Sequence, residues 1–390
     1  MTFQPLRDVR VLDLSSNLPG PLLTRILADL GAEVIKVEPP RGEGLRHMPP
    51  ASGGVGLTFG GLNAGKDSLA IDLKKPEGVA IVLEIAAQCD VFVEAFRPGK
   101  VAALGLGPEV LHGVNPRLVI CSLSGYGQVG ERAQAAGHDI NYLATAGVLG
   151  LFGPAGSPPL VPGVQVADVG GGSLPAAIGV LGALMERERT GRGRHLDISL
   201  TRGAVAFGAV AMGAASGGHV DARGAGLLTG GAPCYRCFET ADGRHVALGA
   251  LEPRFFSAFC QLAGRPDLAD QGFRWGADAE PIVAELDTLF RTRTAADWLA
   301  LTDGHDVCLT MVRTPEEALS DPALAGVIRQ VGGFTVVSTH VGAPTEAPER
   351  GPSALGADAP AVARRLDLDN DLLRQAIDTG ALAWPDDEAP

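Results

Sequence analysis

Apolar and polar positions between residues 10 and 38 alternate in a way that predicts a strand, a helix and a second strand. The run RVLDLS is short and aliphatic, as strands are. In PGPLLTRILADLGA, apolar residues recur at helical spacing between an early proline and a late glycine, which is the pattern of an amphipathic helix. EVIKVE is again typical of a strand. The three segments together predict a βαβ unit.

The alternation of strand and helix patterns continues to about residue 127, which predicts a parallel sheet with helices on both faces. The predicted elements are LAIDLK (69–74), a helix from Pro76 to about Gln88, DVFVEAF, a helix near 107–114, and RLVICSLSGYG. The first turn, SSNLPGP, lacks the glycines of a GxGxxG fingerprint, so a dinucleotide cofactor is not expected at this turn. The expected fold class is α/β.

The character of the sequence changes near residue 168. ADVGGGSLPAAIGVLGALMERERTG places Asp168 and a glycine run before a predicted long helix, and HLDISL predicts another strand. Residues 213–230 and 342–360 are rich in glycine or proline with little periodicity, which is typical of connections between domains. Between them, CYRCFETADGRHVALGA predicts two strands joined by a turn. A second, smaller domain is therefore expected.

The composition excludes several classes of partner. The 390 residues carry a formal net charge of −13, whereas nucleic acids and anionic membranes attract a positive surface. Six cysteines without a secretory signal predict reduced thiols and a cytoplasmic location. Cys234 and Cys237 form a lone CxxC pair, so no metal site is expected. No uninterrupted apolar run approaches the roughly 20 residues that a membrane helix needs.

Two places in the sequence have residues suited to acid–base chemistry. AGHDINYLATAG sets His138 beside Asp139, and an imidazole with a pKa near about 6.5 exchanges protons readily at neutral pH. The other interpretation of His138 is a loop residue bonded to the backbone. Asp168 is either an N-cap or an ionised base or nucleophile that the following glycines leave open to a substrate. Sequence spacing does not choose between these interpretations.

Basic residues are concentrated in the first hundred positions, where all five lysines lie. Arg41, Arg46 and Arg97 occupy loop-like positions after predicted strands, and the carboxyl ends of parallel strands are where such sheets bind ligands. A phosphate-bearing ligand fits these positions. Ordinary solvated charge is the alternative.

Several long segments of the chain resemble the family III CoA-transferase superfamily, in the same order and spacing. These segments are VRVLDLSSNLPGPLLTRILADLGAEVIKVEPP, LNAGKDSLAIDLKKPEG, DVFVEAFRPG and LGLGPE. GHDINY, the glycine run behind Asp168 and GGAPCYRCFETADGRHVALGALEPRFF further resemble the α-methylacyl-CoA racemase branch. The resemblance covers most of residues 7 to about 260.

The resemblance implies a Rossmann-like large domain with a parallel sheet, a smaller α+β domain, and two chains interlocked as a homodimer. The implied segments are residues 1–205 (first part of the large domain), 206–229 (linker), 230–320 (small domain), 321–360 (linker) and 361–390 (a C-terminal return to the large domain).

The resemblance also implies roles for individual residues. His138 and Asp168 match the two acid/base groups on opposite faces of the substrate α-carbon, and Glu252 matches the glutamate that pairs with the histidine. The backbone amide of Asp139 falls where the family hydrogen-bonds the thioester oxygen. The expected CoA-binding residues are Arg41, Arg46, Arg97, Lys100 and Gly137. The acyl-CoA is itself the substrate, so no separate cofactor is expected.

The activity implied is that of an α-methylacyl-CoA racemase, and the alternative is a CoA transferase in which Asp168 is the nucleophile. His138 discriminates between them, because a transferase has no evident need for an imidazole there. A catalytically silent CoA-binding relative is a third interpretation, which the joint presence of His138, Asp168 and Glu252 disfavours. The chain departs from the racemases in two places. TRGAVAFGAVAMGAASGG is rich in Ala and Gly instead of Met, and Ala103 stands where relatives often have an arginine.

Overall fold

The computed structural model describes residues 3–338 and 350–385. Its strands are β1 Arg10–Asp13, β2 Glu33–Glu38, β3 Ala51–Ser52, β4 Val55–Gly56, β5 Asp67–Ala70, β6 Val91–Glu94, β7 Val119–Ser124, β8 His195–Ser199, β9 Tyr235–Glu239, β10 His245–Gly249, β11 Leu309–Met311, β12 Ile328–Val331 and β13 Phe334–Val337. Its α-helices are α1 Pro19–Asp29, α2 Leu57–Asn63, α3 Pro76–Ala87, α4 Lys100–Ala103, α5 Pro108–Val114, α6 Asp139–Thr145, α7 Leu174–Thr190, α8 Leu200–Ala204, α9 Ala209–Ser216, α10 Pro253–Leu262, α11 Glu280–Phe290, α12 Ala295–Thr302, α13 Pro315–Leu319, α14 Ala359–Leu366 and α15 Asn370–Asp378.

The chain divides into two compact units. The first, called the large unit here, comprises Met1–Ala146, Val164–Ala206 and Asp321–Pro390, and the second, the small unit, comprises Gly147–Gly163 and Phe207–Ser320. The segment expected as a first linker, residues 206–229, contains α9. Residues 339–349 of the expected second linker lie outside the described residues. The domain boundaries given above stay predictions.

The large unit is built on a six-stranded sheet with the strand order β5-β2-β1-β6-β7-β8, and every neighbouring pair is parallel. The expected α/β fold with a parallel sheet is therefore confirmed. Strand order reverses between β1 and β6, because the chain first builds outward from β1 to β5 and then outward in the other direction from β6 to β8. Ligands of open α/β sheets bind at such a switch point, outside the carboxyl ends of the strands.

Both faces of this sheet are covered, so the strands β1, β2, β6 and β7 are buried at nearly every position. Successive residues of a strand point to opposite faces, so Leu12 and Phe92 contribute to one core and Val11 and Val93 to the other. The first core is closed by α3, α5, α14 and α15, and the second by α1 and α7.

A buried polar cluster lies where β1 meets α1. Asp13, which is fully buried, accepts hydrogen bonds from Thr24 at 2.6 Å and from the Lys66 ammonium at 3.3 Å. Lys36, on the neighbouring strand, donates to the carbonyl oxygen of Ser15 at 2.9 Å. Burial opposes ionisation of Asp13, but the charges of Lys36 and Lys66 and the bonds from Ser15 and Thr24 outweigh it and lower its pKa to about 2. The cluster therefore holds the turn after β1 in one conformation.

The small unit has its own core beside a three-stranded antiparallel sheet with the order β11-β10-β9. Three rings stack in sequence: Phe238 on Phe290 at 4.5 Å, and Phe290 on Phe259 at 5.2 Å between ring centroids. Trp298 is fully buried against them and donates its ring N–H to the carbonyl oxygen of Phe290 at 2.8 Å. Phe259, Phe290 and Trp298 belong to α10, α11 and α12 and Phe238 to β9, so this ring cluster joins the helices of the small unit to its sheet.

The long helix behind Asp168 begins earlier and with a different geometry than the sequence predicts. Residues Val166–Ser173 form a π-helix that continues directly into α7. Asp168 lies inside the first turn of this π-helix, not at its N-cap, which is Gln165. The interpretation of Asp168 as an N-cap is therefore wrong. π-Helical turns are rare and occur frequently at functional sites.

The continuous helix Val166–Thr190 is the one helix in the described parts of the chain that is long and apolar enough, by length and composition, to cross a membrane. Its inner residues, among them Ala176, Val180 and Leu184, belong to the core beneath the sheet. A core helix passes the same length and composition test, so this helix is weak evidence for a membrane span.

Most predicted elements agree with the structure, but one strand is displaced. The run LAIDLK at 69–74 predicts a strand, whereas β5 covers Asp67–Ala70 and Ile71 makes only an isolated bridge to Leu382. The amide of Asp72 instead donates to the carbonyl oxygen of Ala381 at 2.8 Å. The N–H of Ile71 still donates to the carbonyl oxygen of Glu38, the last residue of β2, at 2.9 Å. β5 therefore ends where its partner strand ends, and the C-terminal segment adds further hydrogen bonds to residues 70 and 72.

The π-helix contacts α8 so closely that a side chain would not fit between them. A Cβ atom on Gly203 would overlap the carbonyl oxygen of Gly171, and one on Gly171 would lie 2.6 Å from the carbonyl oxygen of Leu200. We predict that Gly203→Ala lowers the free energy of unfolding by about 1–3 kcal/mol, the usual effect of overpacking.

Gly182→Ala is the matched control, because Gly182 lies within α7 and a Cβ there would meet nothing within 4 Å. This substitution is expected to stabilise the protein by about 0.5–1 kcal/mol through helix propensity. Urea denaturation of both variants measures the difference. Equal effects of the two substitutions would contradict the close contact between α8 and the π-helix.

Candidate active site

His138 is the N-cap residue of α6, and hydrogen bonds from nearby residues fix the backbone around it. Its own N–H donates to the side-chain oxygen of Asn141 at 3.0 Å, and the Tyr142 hydroxyl donates to the carbonyl oxygen of Gly137. Gly137 has no room for a side chain, because a Cβ would lie 2.8 Å from the Tyr142 ring. The imidazole itself belongs to an exposed residue. Local contacts thus fix the backbone while the side chain stays open to a ligand.

Asp139, the next residue, connects α6 to the π-helix. One oxygen of its carboxylate accepts the N–H groups of Ala167 at 2.7 Å and of Asp168 at 2.9 Å. These N–H groups lie in the first turn of the π-helix, where a helix leaves its amides without intrahelical partners. The backbone N–H of Asp139, in the first turn of α6, likewise has no acceptor within its helix. The side chain of Asp139 is therefore structural, while its backbone amide is available to a ligand.

Asp168 is half-buried, and its pKa is raised to about 6. Burial is the larger cause, the negative charge of Asp139 adds to it, and His138 acts in the opposite direction. These interactions place His138, Asp139 and Asp168 within electrostatic reach of one another. The structure thus brings together the three residues that the sequence singled out in the large unit.

Tyr142 belongs to the same group. Burial, followed by the negative charge of Asp168, raises the pKa of its hydroxyl to about 12. Its ring meets that of Tyr126 edge-on, with 5.2 Å between centroids, and a Cβ on Gly125 would overlap it. Sequence reasoning missed Tyr142, although its place four residues after His138 in GHDINY puts it one helical turn away.

A cavity of about 480 Å³ opens beside His138 at the carboxyl edge of the sheet, and we call it the polar cavity. Its walls come from the turns after β1, β6 and β7 and from α6. The residues that line it include Asn17, Phe96, Arg97, Ser124, Gly137, His138, Asn141 and Tyr142.

A second cavity of about 410 Å³, the apolar cavity, lies at the same edge above β1, β2, β5 and β6. Its apolar lining consists of Leu14, Val37, Pro39, Pro40, Ile71, Leu73, Phe96 and Leu104. Its charged lining consists of the lysines Lys74 and Lys100 and the acidic residues Glu38, Glu43 and Asp72. Asn17 and Phe96 line both cavities. The two cavities thus adjoin each other along the carboxyl edge of the sheet, at the switch point between β1 and β6.

The predicted CoA-binding residues divide into two groups. Arg97 and Gly137 line the polar cavity and Lys100 the apolar cavity, while Arg41 is exposed beside Pro40 and Gly42 at the rim of the latter.

Arg46 has a different environment. It is buried, donates to both oxygens of Glu38 at 2.9 and 2.5 Å and to the carbonyl oxygen of Ser353 at 3.1 Å, and lies 4.2 Å above the Phe59 ring. It lines neither of the two cavities. A buried carboxylate without Arg46 would be left uncompensated, so the residue serves the fold. No pattern in the sequence indicates this pairing.

Glu252 belongs to the small unit, where it is exposed directly before α10. Its carbonyl oxygen accepts the N–H of Phe255 at 2.9 Å. Its charge contributes to a raised pKa of the Cys308 thiol, for which burial is the larger cause. The pairing of Glu252 with His138 stays a prediction.

The residues near His138 can exchange protons without a metal. Among the described residues, no group of three or more His, Cys, Asp or Glu side chains is arranged to hold a metal ion. What the site does contain is an imidazole, a carboxyl group with a pKa near neutrality, and a backbone amide between them. Such a set can remove a proton, stabilise the resulting anion and return a proton.

Comparison with known proteins identifies relatives over most of the chain. Residues 6–359 match the family model CoA-transferase family III. The chain is 39% identical over 315 residues to alpha-methylacyl-CoA racemase of Mus musculus, covering 80% of this chain and 79% of that protein. It is also 34% identical over 352 residues to succinyl-CoA:glutarate CoA-transferase of the same species, covering 88% of this chain and 80% of the relative.

Solved structures agree with the sequence relatives. The crystal structure of a CAIB/BAIF family protein from Brucella suis superposes with a TM-score of 0.82 at 28% identity, over 94% of this chain and 100% of that one. The sequence resemblance and the fold are thus independently confirmed, and the protein is an enzyme that belongs to CoA-transferase family III.

Proposed function

We propose that the protein is a 2-methylacyl-CoA racemase that removes the α-proton of a thioester on one face and returns a proton on the other. The observation that carries this proposal is the arrangement of His138 and Asp168 around Asp139, in which the pKa of Asp168 is raised to about 6. A carboxyl group with that pKa gives and takes protons near neutral pH, which an ordinary aspartate does not do efficiently.

The reaction begins when one of the two bases takes the α-proton. Negative charge then moves to the thioester oxygen as an enolate forms, and it needs a donor that is already in place. The amide of Asp139, which has no acceptor within α6, is the proposed donor. Loss of one such donor costs about 3–4 kcal/mol of transition-state stabilisation. The second base then delivers a proton to the opposite face, and the configuration is inverted.

CoA is proposed to lie along the carboxyl edge of the sheet. The apolar cavity, with Lys74 and Lys100, suits an aromatic base and phosphates, and Arg41 lies at its rim. The polar cavity leads from Asn17 and Arg97 to His138 and suits the arm that ends in the thioester. In this arrangement the acyl-CoA supplies the reacting bond, and the proposal includes no further cofactor.

A CoA transferase is the second candidate, because the relatives include succinyl-CoA:glutarate CoA-transferase at 34% identity. In that reaction, the Asp168 carboxylate would attack the thioester carbon and displace the CoA thiolate, which gives a mixed aspartyl anhydride. The thiolate would then attack the aspartyl carbonyl and release the first acid, leaving an aspartyl thioester of CoA. A second carboxylate would displace the thiolate as a new anhydride, and attack of the thiolate on its acyl carbon would give the product thioester and free Asp168. His138 has no evident task in this scheme. We therefore favour the racemase, in which the imidazole is one of the two bases.

Glu252 is proposed to hold and charge-balance the imidazole of His138, as a carboxylate does for histidine in other enzymes. The exposed position of Glu252 before α10 leaves its carboxylate available. Under the interlocked arrangement that the resemblance implies, either chain of a dimer can supply the glutamate, and activity depends on assembly when the partner supplies it.

Asp139→Asn is predicted to lower the pKa of Asp168 from about 6 toward, but not to, the ordinary value of 3.8. Asparagine keeps the acceptor oxygen for the N–H groups of Ala167 and Asp168 and removes only the negative charge, while burial, the larger cause, remains. His138→Ala is the opposing control, since loss of the imidazolium charge raises the same pKa. Carbon-13 NMR of the aspartate carboxyl groups, assigned with Asp168→Asn, measures both shifts. Shifts in the same direction would contradict this account of the site.

In D2O, the wild-type enzyme is predicted to exchange the α-hydrogen of a 2-methylacyl-CoA and to destroy its optical purity without an added acceptor acid, metal or cofactor. His138→Ala and Asp168→Asn should each abolish net inversion, because each turnover needs one group on each face. Each variant keeps one base, so some deuterium should still enter from one enantiomer only, and from opposite enantiomers in the two variants. Glu252→Gln should resemble a weakened His138→Ala.

Mass spectrometry of C2 deuteration, measured separately for the R and S thioesters, decides between the two candidates. Equal residual exchange from both enantiomers in either single-base variant would refute the two-base assignment. Transfer of CoA to a free carboxylic acid, lost in Asp168→Asn but retained in His138→Ala, would replace the racemase by the transferase.

We also propose that the enzyme acts as a homodimer. Three large apolar side chains of α7 lie on one exposed stripe: Leu174, Ile178 and Met185, which are 41%, 72% and 70% exposed. Exposed stripes of this kind mark protein contacts. Sedimentation at micromolar concentration should show a dimer, and Ile178→Asp should weaken it. An active wild-type monomer would refute the proposal.

A further inference from the structure

The turn after β1 is rigid, and it carries an unusual residue. Ser15 donates its N–H to Asp13 at 2.9 Å and its hydroxyl to the same oxygen, while Lys36 donates to the Ser15 carbonyl oxygen. Two residues later, Asn17 has φ = +64°, which lies in the left-handed region. Residues other than Gly, Asn and Asp rarely adopt this backbone conformation. The backbone thus presents Asn17 at a fixed position.

The carboxamide of Asn17 is exposed, and it has no hydrogen-bond partner within residues 3–338 and 350–385. It lies where the two cavities meet, since Asn17 and Phe96 are the residues that line both. The lysines that suit phosphates line only the apolar cavity, and His138 lines only the polar cavity. If a ligand has its phosphates in the apolar cavity and its reacting carbon in the polar cavity, the middle of the ligand therefore lies beside Asn17.

We infer that Asn17 is a ligand-binding residue whose carboxamide hydrogen-bonds an amide group of the pantetheine arm of CoA, at the point where the arm crosses from one cavity to the other. The inference rests on the proposed placement of CoA. A carboxamide offers both a donor and an acceptor, which complement the C=O and N–H of an amide. Phe96, on the same boundary, supplies an apolar wall for the methylene groups of the arm.

The test compares a ligand that has the arm with one that lacks it. Asn17→Gly removes the carboxamide and keeps the left-handed backbone, which glycine adopts freely. We expect it to weaken the binding of CoA by about fivefold, the effect of one hydrogen bond worth about 1 kcal/mol, and to leave the affinity for 3′-phosphoadenosine 5′-phosphate unchanged. Isothermal titration calorimetry measures these affinities.

Asp367→Gly is the matched control, because Asp367 is also exposed with a left-handed φ of +48° but lines neither cavity. It should bind both ligands as the wild type does. Equal weakening of both ligands by Asn17→Gly, or no weakening of either, would overturn the inference. So would unchanged CoA binding with altered turnover only of thioesters that carry polar acyl groups, which would assign Asn17 to the acyl group.

The outcome also separates this inference from the proposed function. If the enzyme proves to be a transferase, the contact with the pantetheine arm still stands, because both reactions use CoA. A wild-type enzyme that does not bind CoA would overturn the proposed placement of CoA and the Asn17 contact together.

Discussion

The site depends on one interaction, the pair of hydrogen bonds that the Asp139 carboxylate accepts from the amides of Ala167 and Asp168. Asp139 follows His138 directly, and Asp168 lies 29 residues further along the chain, so these bonds set the position of one candidate base relative to the other. They also place a second negative charge beside Asp168, which contributes to its raised pKa. The Asp139 carboxylate thus both positions Asp168 and contributes to its raised pKa. The backbone amide of Asp139 has no acceptor within α6 and is free for a ligand.

The sheet places this interaction at its carboxyl edge, where parallel sheets bind ligands. Because strand order reverses between β1 and β6, the turns that follow these strands diverge and leave space between them. The buried cluster of Asp13, Lys36 and Lys66 then holds the turn after β1 in one conformation. Burial lowers the pKa of Lys66 to about 7 despite the opposing charge of Asp13. Such a cluster costs stability unless every partner is present, which suits a part of the fold that positions a ligand.

Sequence patterns predicted the sheet and most of its helices because alternation and helical spacing are local properties. β5 ended early because its partner β2 ends at Glu38, before two prolines that have no N–H, and no pattern within residues 69–74 contains that information. An N-cap was one of the two interpretations of Asp168, because aspartate before a predicted helix favours caps, whereas a π-helix depends on packing against α8 and on Asp139. The partner of Arg46 likewise follows from the three-dimensional fold, since an arginine for CoA and one for a buried glutamate look the same in sequence.

The raised pKa of Asp168 bears on the chemistry of the site. Gly171 and Gly203 allow the π-helix to pack closely against α8, and Asp168 is half-buried in the first turn of this π-helix, with burial the larger cause of its raised pKa. An ordinary aspartate has a pKa of 3.8, so at neutral pH it is almost always ionised and is a poor proton donor. Burial and the charge of Asp139 raise the pKa of Asp168 to about 6, which makes its protonated form more accessible near neutral pH. Under the proposed reaction, Asp168 has to give a proton as well as take one, so these two interactions supply what that reaction asks of this carboxyl group.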